Sequence, residues 1–118
     1  MQNEPDILAR TFEFGVRATR LGVYLIGQRE SYRLVDQFVA AAVSIGANVE
    51  EAQGAQSKAD FVSKMSIALK EAREAVFRLR VFISADIISP ARGNALLNEG
   101  EEIKRILGKI TANADRNR

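Results

Sequence analysis

The residues with the best-placed polar groups lie on one face of a predicted helix. Ser44, Asn48 and Glu51 are spaced by four and then three positions, within a segment otherwise rich in Ala, Val and Ile. Their hydroxyl, amide and carboxylate groups could line a functional groove. Alternatively, they could form a buried network that fixes the register of neighbouring helices, with Glu74 as a partner on the next helix. We favour the structural network of Ser44, Asn48, Glu51 and Glu74.

A second pattern follows on the next predicted helix, where three cations and one aromatic side chain recur at helical spacing. Lysine and arginine neutralise phosphates, and an exposed phenylalanine can stack on a base. The residues predicted to contact nucleic acid are Arg17, Arg20, Lys64, Lys70, Arg73, Phe77 and Arg80. The alternative is a solvated helix face that carries pairs such as Glu74 with Arg78, four positions apart.

The composition excludes most catalytic chemistry. The 118 residues contain no Cys and no His, which removes thiolate nucleophiles, imidazole acid–base groups, disulfides and the usual zinc ligands. The adjacent pairs Glu50-Glu51 and Glu101-Glu102 each divide across two helix faces, so they do not converge on a metal. A hydrolase built on two opposed carboxylates stays formally open, but no spacing supports it. We therefore predict no enzyme activity, no cofactor and no metal site.

Charge is distributed unevenly along the chain. The net charge is only +2, yet residues 34–56 carry three acidic and no basic side chains. Residues 57–85 carry six basic and three acidic ones. The third predicted helix is thus the basic element, although a small total charge is not a strong sign of nucleic-acid binding.

Apolar periodicity and capping residues predict four helices, at about 6–26, 31–53, 58–85 and 90–112. Ser31, Ser57 and Ser89 are suitable N-caps, and Ser57 with Asp60 resembles a capping box. Short joints make consecutive helices antiparallel. Residues 1–118 therefore form a single domain, predicted to be an all-α, antiparallel up-and-down four-helix bundle.

Each predicted helix has a core face, and helix 1 has an additional apolar strip. For helix 2, the expected core positions are Leu34, Phe38, Ala41, Ile45, Val49 and Ala52. The middle of helix 2 is thin, because small residues dominate around Gly46, so a neighbouring backbone can approach closely there. The second strip of helix 1 contains Leu8, Phe12, Val16, Val23 and Ile26 and predicts a homo-oligomer. No segment reads as a signal peptide or a membrane span, so we expect a cytoplasmic protein.

Three blocks carry a resemblance to a known family. SIGANVEEA at 44–52, SKADF at 57–61 and ALKEARE at 68–74 closely resemble the 23S rRNA-intervening-sequence proteins. The similarity extends from about Asp6 to Ile110. It implies an antiparallel four-helix bundle that assembles as a ring-like homopentamer.

The resemblance also implies a function. Some members of the family are encoded within intervening sequences of large-subunit ribosomal RNA genes. A related branch, the accessory variability determinant of diversity-generating retroelements, binds nucleic acid and a reverse transcriptase through a basic surface. We therefore expect a non-enzymatic homo-oligomer that binds RNA or DNA, or a ribonucleoprotein partner. The alternative is a scaffold that binds a protein and has no nucleic-acid role.

Overall fold

Four amphipathic helices form the described part of the chain. The computed structural model describes residues 6–116, apart from the side chain of Asp115. The helices are α1 (Ile7–Gly27), α2 (Tyr32–Gln53), α3 (Lys58–Ser84) and α4 (Pro90–Arg116). Consecutive helices pack side by side and α4 packs on α1, whereas the diagonal pairs have no close backbone contact within these residues. The predicted all-α four-helix bundle is confirmed.

The predicted helix ends agree with the structure within about a residue, except at α4. That helix continues to Arg116, beyond the predicted end at residue 112. Residues 1–5 and 117–118, which the predicted domain includes, lie outside the described residues.

Serine side chains begin three of the helices, as predicted. The Asp60 N–H donates to Ser57 Oγ at 3.0 Å, and the equivalent bonds reach Ser31 and Ser89 at 3.3 and 3.2 Å. The Asp60 carboxylate accepts from the Gln56 N–H at 3.3 Å, one residue before the usual capping-box donor. Each serine satisfies a backbone donor that has no partner within its helix.

The core-facing residues of α2 follow one heptad pattern. One of the predicted core positions of this helix was wrong. Val35, Phe38, Ala42, Ile45 and Val49 alternate by three and four residues, and all are buried. Leu34 lies one position outside this pattern and is 42% exposed, so its predicted place in the core was wrong. Edge-to-face packing of Phe38 on Phe82, with ring centroids 5.6 Å apart, joins α2 to α3.

Glycines allow α1 and α2 to approach closely, as the thin middle of α2 predicted. A Cβ on Gly46 would lie 3.1 Å from the Thr11 carbonyl oxygen. A Cβ on Gly22 would lie 2.6 Å from a methyl group of Val39. Because Thr11 is fully buried and its backbone cannot easily move, Gly46 sets the separation of the two helices.

We predict that Gly46→Ala lowers the free energy of unfolding by about 1–3 kcal/mol, because the added methyl group presses on the α1 backbone. The matched control is Gly108→Ala on α4, where a Cβ meets no atom within 4 Å. That substitution should raise the free energy of unfolding by about 0.5–1 kcal/mol, since alanine favours helix. Urea denaturation measures both. Equal stabilisation by the two substitutions would contradict the close α1–α2 contact.

Candidate nucleic-acid interface

The stripe of α3, defined as Lys70, Arg73, Phe77 and Arg80, lies on the outward face of that helix. All four side chains are exposed, and Phe77 is 61% exposed. The helix fixes the stripe because Leu69, Ala72, Ala75, Val76 and Leu79 are buried beside it. An aromatic ring therefore projects into solvent between cations. This arrangement suits contact with phosphates and a base.

The cations of the stripe differ from Lys104 and Arg105 of α4 in their partners. On α4, Lys104 pairs with Glu101 at 2.9 Å and Arg105 with Glu102 at 2.8 Å. The hydrogen bond and the charge of Arg105 lower the pKa of the Glu102 carboxyl below its ordinary value. In contrast, no hydrogen bond or ion pair to another residue of the described chain occupies the side chains of the three stripe cations. Their charge is available to a ligand.

The other predicted nucleic-acid contacts lie elsewhere in the bundle. Lys64 pairs with Asp60 at 3.4 Å. It precedes Lys70 by six residues and therefore lies about a third of a turn from Lys70 and nearly half a turn from the rest of the stripe. Arg17 and Arg20 lie on α1, diagonal to α3. A single copy thus does not join the seven predicted residues in one surface.

The predicted pairing of Glu74 with Arg78 does not form. The Arg78 guanidinium instead donates to the Gln37 side-chain oxygen on α2 at 3.1 Å. Glu74 is half-buried and lines a cleft of about 260 Å³ with Arg73, Phe77 and Arg78. Glu74 and Arg78 therefore do not pair within the described residues, as the solvated-helix alternative proposed, and the stripe remains a solvent-exposed face.

Of the predicted polar network, the described residues of a single chain retain the Ser44–Asn48 pair. Asn48 Nδ2 donates to the Ser44 carbonyl at 2.9 Å and to Ser44 Oγ at 3.2 Å. Glu51 is exposed, and no hydrogen bond between residues 6 and 116 links Glu51 or Glu74 to this pair. The Asn48 amide does not need a partner on a second helix, because the Ser44 carbonyl four residues earlier accepts its hydrogen bond.

An apolar groove runs along the outside of α1 and α2. It consists of two hollows of about 500 and 290 Å³ that share Thr19. The apolar lining consists mainly of Phe12, Val16, Val23, Ile26, Val39 and Val43. The second strip of helix 1 predicted the α1 wall, whereas the α2 wall was missed. An exposed apolar surface of this kind is typical of an interaction site.

A second groove, between α3 and α4, was not predicted. Its two hollows, of about 600 and 460 Å³, share Leu69, Arg73 and Gly108. Gly108 leaves space because no heavy atom lies within 4 Å of where its Cβ would be. The sequence signal for this groove was Gly108, a glycine within a predicted helix. That signal could not be interpreted without knowing which helix packs beside it.

Among the described residues, no three acidic side chains are grouped so that they could hold a metal ion. Between residues 6 and 116, no helix has the length and apolar character needed to cross a membrane.

The sequence and the fold together identify the family. The sequence pattern of the 23S rRNA-intervening sequence protein family matches residues 4–109. The chain belongs to this family. A member of the S23 ribosomal protein family from Bacteroides thetaiotaomicron, a protein of unknown function, has a similar crystal structure. It is 34% identical, with a TM-score of 0.86, and the match covers 89% of this chain and 97% of that one. No protein with a curated description matches the sequence.

Within residues 6–116, an ion pair joins the first and last helices. Arg10 Nε and Nη2 donate to the two carboxylate oxygens of Glu99 at 2.9 and 2.7 Å. Both side chains are about three-quarters buried. The bond to Glu99 raises the pKa of Arg10 above its ordinary value. The pair strengthens the smallest of the helix contacts, that of α1 with α4.

We predict that Glu99→Gln lowers the free energy of unfolding by about 1 kcal/mol, because it removes a two-bond, charge-assisted contact between helices. Glu102→Gln is the control, since the Glu102–Arg105 pair is exposed and lies within one helix. It should leave the free energy of unfolding unchanged. Urea denaturation at low salt compares the two variants. Equal effects would show that the α1–α4 pair has no special role.

Proposed function

We propose that the protein is a non-enzymatic, cytoplasmic homo-oligomer that binds nucleic acid, or a ribonucleoprotein partner, through the stripe of α3. The observation that carries this proposal is a set of three exposed cations, which have no partner among residues 6–116, around an exposed Phe77. The resemblance seen in the sequence supports it, because it implies a relation to the accessory variability determinants, which bind nucleic acid through a basic surface.

The physical argument depends on local charge rather than on total charge. A net charge of +2 gives little long-range attraction for a polyanion. Unpaired cations can still exchange their counterions for phosphates, and the released counterions favour binding. The paired cations of α4 would first have to separate from glutamate. The stripe is therefore the surface best suited to phosphate contact.

We also propose that a second copy of the chain covers the α1/α2 groove. Phe12 and Val23 are 67% and 71% exposed there, which is unusual for apolar side chains concentrated on one face. Arg20, Asp36 and Glu50 lie beside this groove, so it offers charges of both signs to a facing copy. The homopentamer is the assembly that the resemblance implies. It would present five stripes and multiply weak contacts.

A scaffold that binds a protein is the second candidate, and the same groove favours it. An apolar partner helix could lie in the groove in place of another copy. A protein partner that stays bound in a pull-down after nuclease treatment would favour the scaffold over the nucleic-acid role.

We predict salt-sensitive binding of a labelled structured RNA or duplex DNA. Between about 50 and 200 mM salt the affinity should fall steeply, and Arg73→Ala or Arg80→Ala should weaken binding and reduce the salt slope by about one. Arg33→Ala is the control, since Arg33 is an exposed arginine on α2, outside the stripe. Fluorescence anisotropy gives the dissociation constants. No salt-sensitive binding at micromolar protein would overturn the proposal.

We predict that Val23→Asp dissociates the oligomer, because a carboxylate in the α1/α2 groove would lose its water when a second copy binds. Ala40→Asp is the control at an exposed α2 position that does not line the groove. Light scattering should give a multiple of 13.0 kDa for the native chain and the control. A native chain that is a stable 13.0 kDa monomer would refute the assembly.

A further inference from the structure

Arg73 connects the exposed aromatic of the stripe to the groove between α3 and α4. It lines the cleft of about 260 Å³ beside Phe77. It also lines both α3/α4 hollows, which share Leu69 and Gly108 with it. The three depressions therefore meet at the Arg73 side chain, and we name them together the α3/α4 track.

The chemistry of the track changes along its length. It begins at the Phe77 ring and passes the Arg73 guanidinium, whose charge has no partner among the described side chains. It continues over Leu69 and the open backbone at Gly108. Lys104 and Arg105 also line it, but Glu101 and Glu102 neutralise them. The positive charge available within the track is therefore at the end beside Phe77.

The far end of the track carries hydroxyl groups. Ser66 and Thr111 line the last hollow. The Thr111 hydroxyl donates to the Gly108 carbonyl at 3.0 Å, so its oxygen remains able to accept a hydrogen bond. From Phe77 to Ser66 the track follows α3 for about 16 Å. An aromatic ring, a cation and neutral hydrogen-bonding groups thus follow one another along the track.

We propose that the α3/α4 track binds single-stranded nucleic acid. An unpaired base stacks on Phe77, the adjoining phosphate contacts Arg73, and the strand continues between α3 and α4. This inference rests on the proposed function and specifies its ligand as a single strand rather than a duplex.

The geometry favours a single strand for a physical reason. Within a duplex, both faces of each base are covered by its neighbours, so Phe77 would find no base to stack on. A duplex would contact the stripe cations on the outward face and leave the track empty. A single strand can use the ring, the guanidinium and the groove together. Stacking accepts every base, so this site is expected to be tolerant of sequence.

The test compares a labelled RNA strand of about 12 nucleotides with the same strand annealed to its complement. The native chain should bind the single strand about tenfold more tightly. Phe77→Ala should weaken single-strand binding about tenfold and so abolish the preference for the single strand, because only an unpaired base stacks on the ring. Phe77→Tyr should retain the preference, and Phe77→Leu, which keeps an apolar side chain without a ring, should lose it.

Gly108→Leu tests the groove independently of the ring. The Cβ position at Gly108 is open, so the substitution is compatible with folding, and the larger side chain occupies the track. Single-strand affinity should fall while duplex affinity stays the same. Circular dichroism and light scattering check that each variant keeps its helices and its assembly.

The outcomes separate this inference from the proposed function. Equal, salt-sensitive binding of single strand and duplex, unaffected by Phe77→Ala, would overturn the inference and leave the proposed function in place. Binding of neither probe would overturn both. Loss of single-strand binding alone in Phe77→Ala and Gly108→Leu supports the track.

Discussion

The burial of one heptad stripe from each helix in a common core is the constraint on which this structure depends. Phe14, Phe38, Leu79 and Leu107, one from each helix, are at most 1% exposed. Removal of apolar surface from water is the dominant favourable contribution to folding, so these stripes fix the rotation of each helix about its axis. Every other face is then assigned to a contact with a neighbouring helix or to solvent. The candidate functional surfaces are the faces that the core leaves outside.

The two sides of the bundle differ because the helices differ in what remains after the core is filled. Helix α1 has more apolar surface than one core can bury, and the close contact at Gly46 places the surplus beside the valines of α2. This side favours association with another protein surface. The α3/α4 side is charged. There Lys104 and Arg105 of α4 are paired with glutamates, whereas no partner among residues 6–116 occupies the stripe cations. One bundle therefore has an apolar side and a partly cationic side.

Local polar contacts were harder to predict than the fold. Asn48 suggested a network across helices, but the Ser44 carbonyl one turn earlier satisfies its amide. Arg78 suggested a pair with Glu74 on its own helix, but Gln37 on α2 accepts its hydrogen bond. In both cases several partners lie within reach of a long or flexible polar side chain. Differences of a few tenths of a kcal/mol then decide between them, about the size of a single exposed pair.

The sequence by itself determined the four helices, their serine caps and the family, because these depend on apolar period and on contacts within about four residues. The exposed stripe of α3 was predictable for the same reason. The tertiary structure decided which residues share a surface. It separated Lys64, Arg17 and Arg20 from the stripe, and it joined Arg73 to the groove at Gly108. These relations depend on how helices rotate and approach, which is set by side-chain packing over the whole core and not by spacing along one helix.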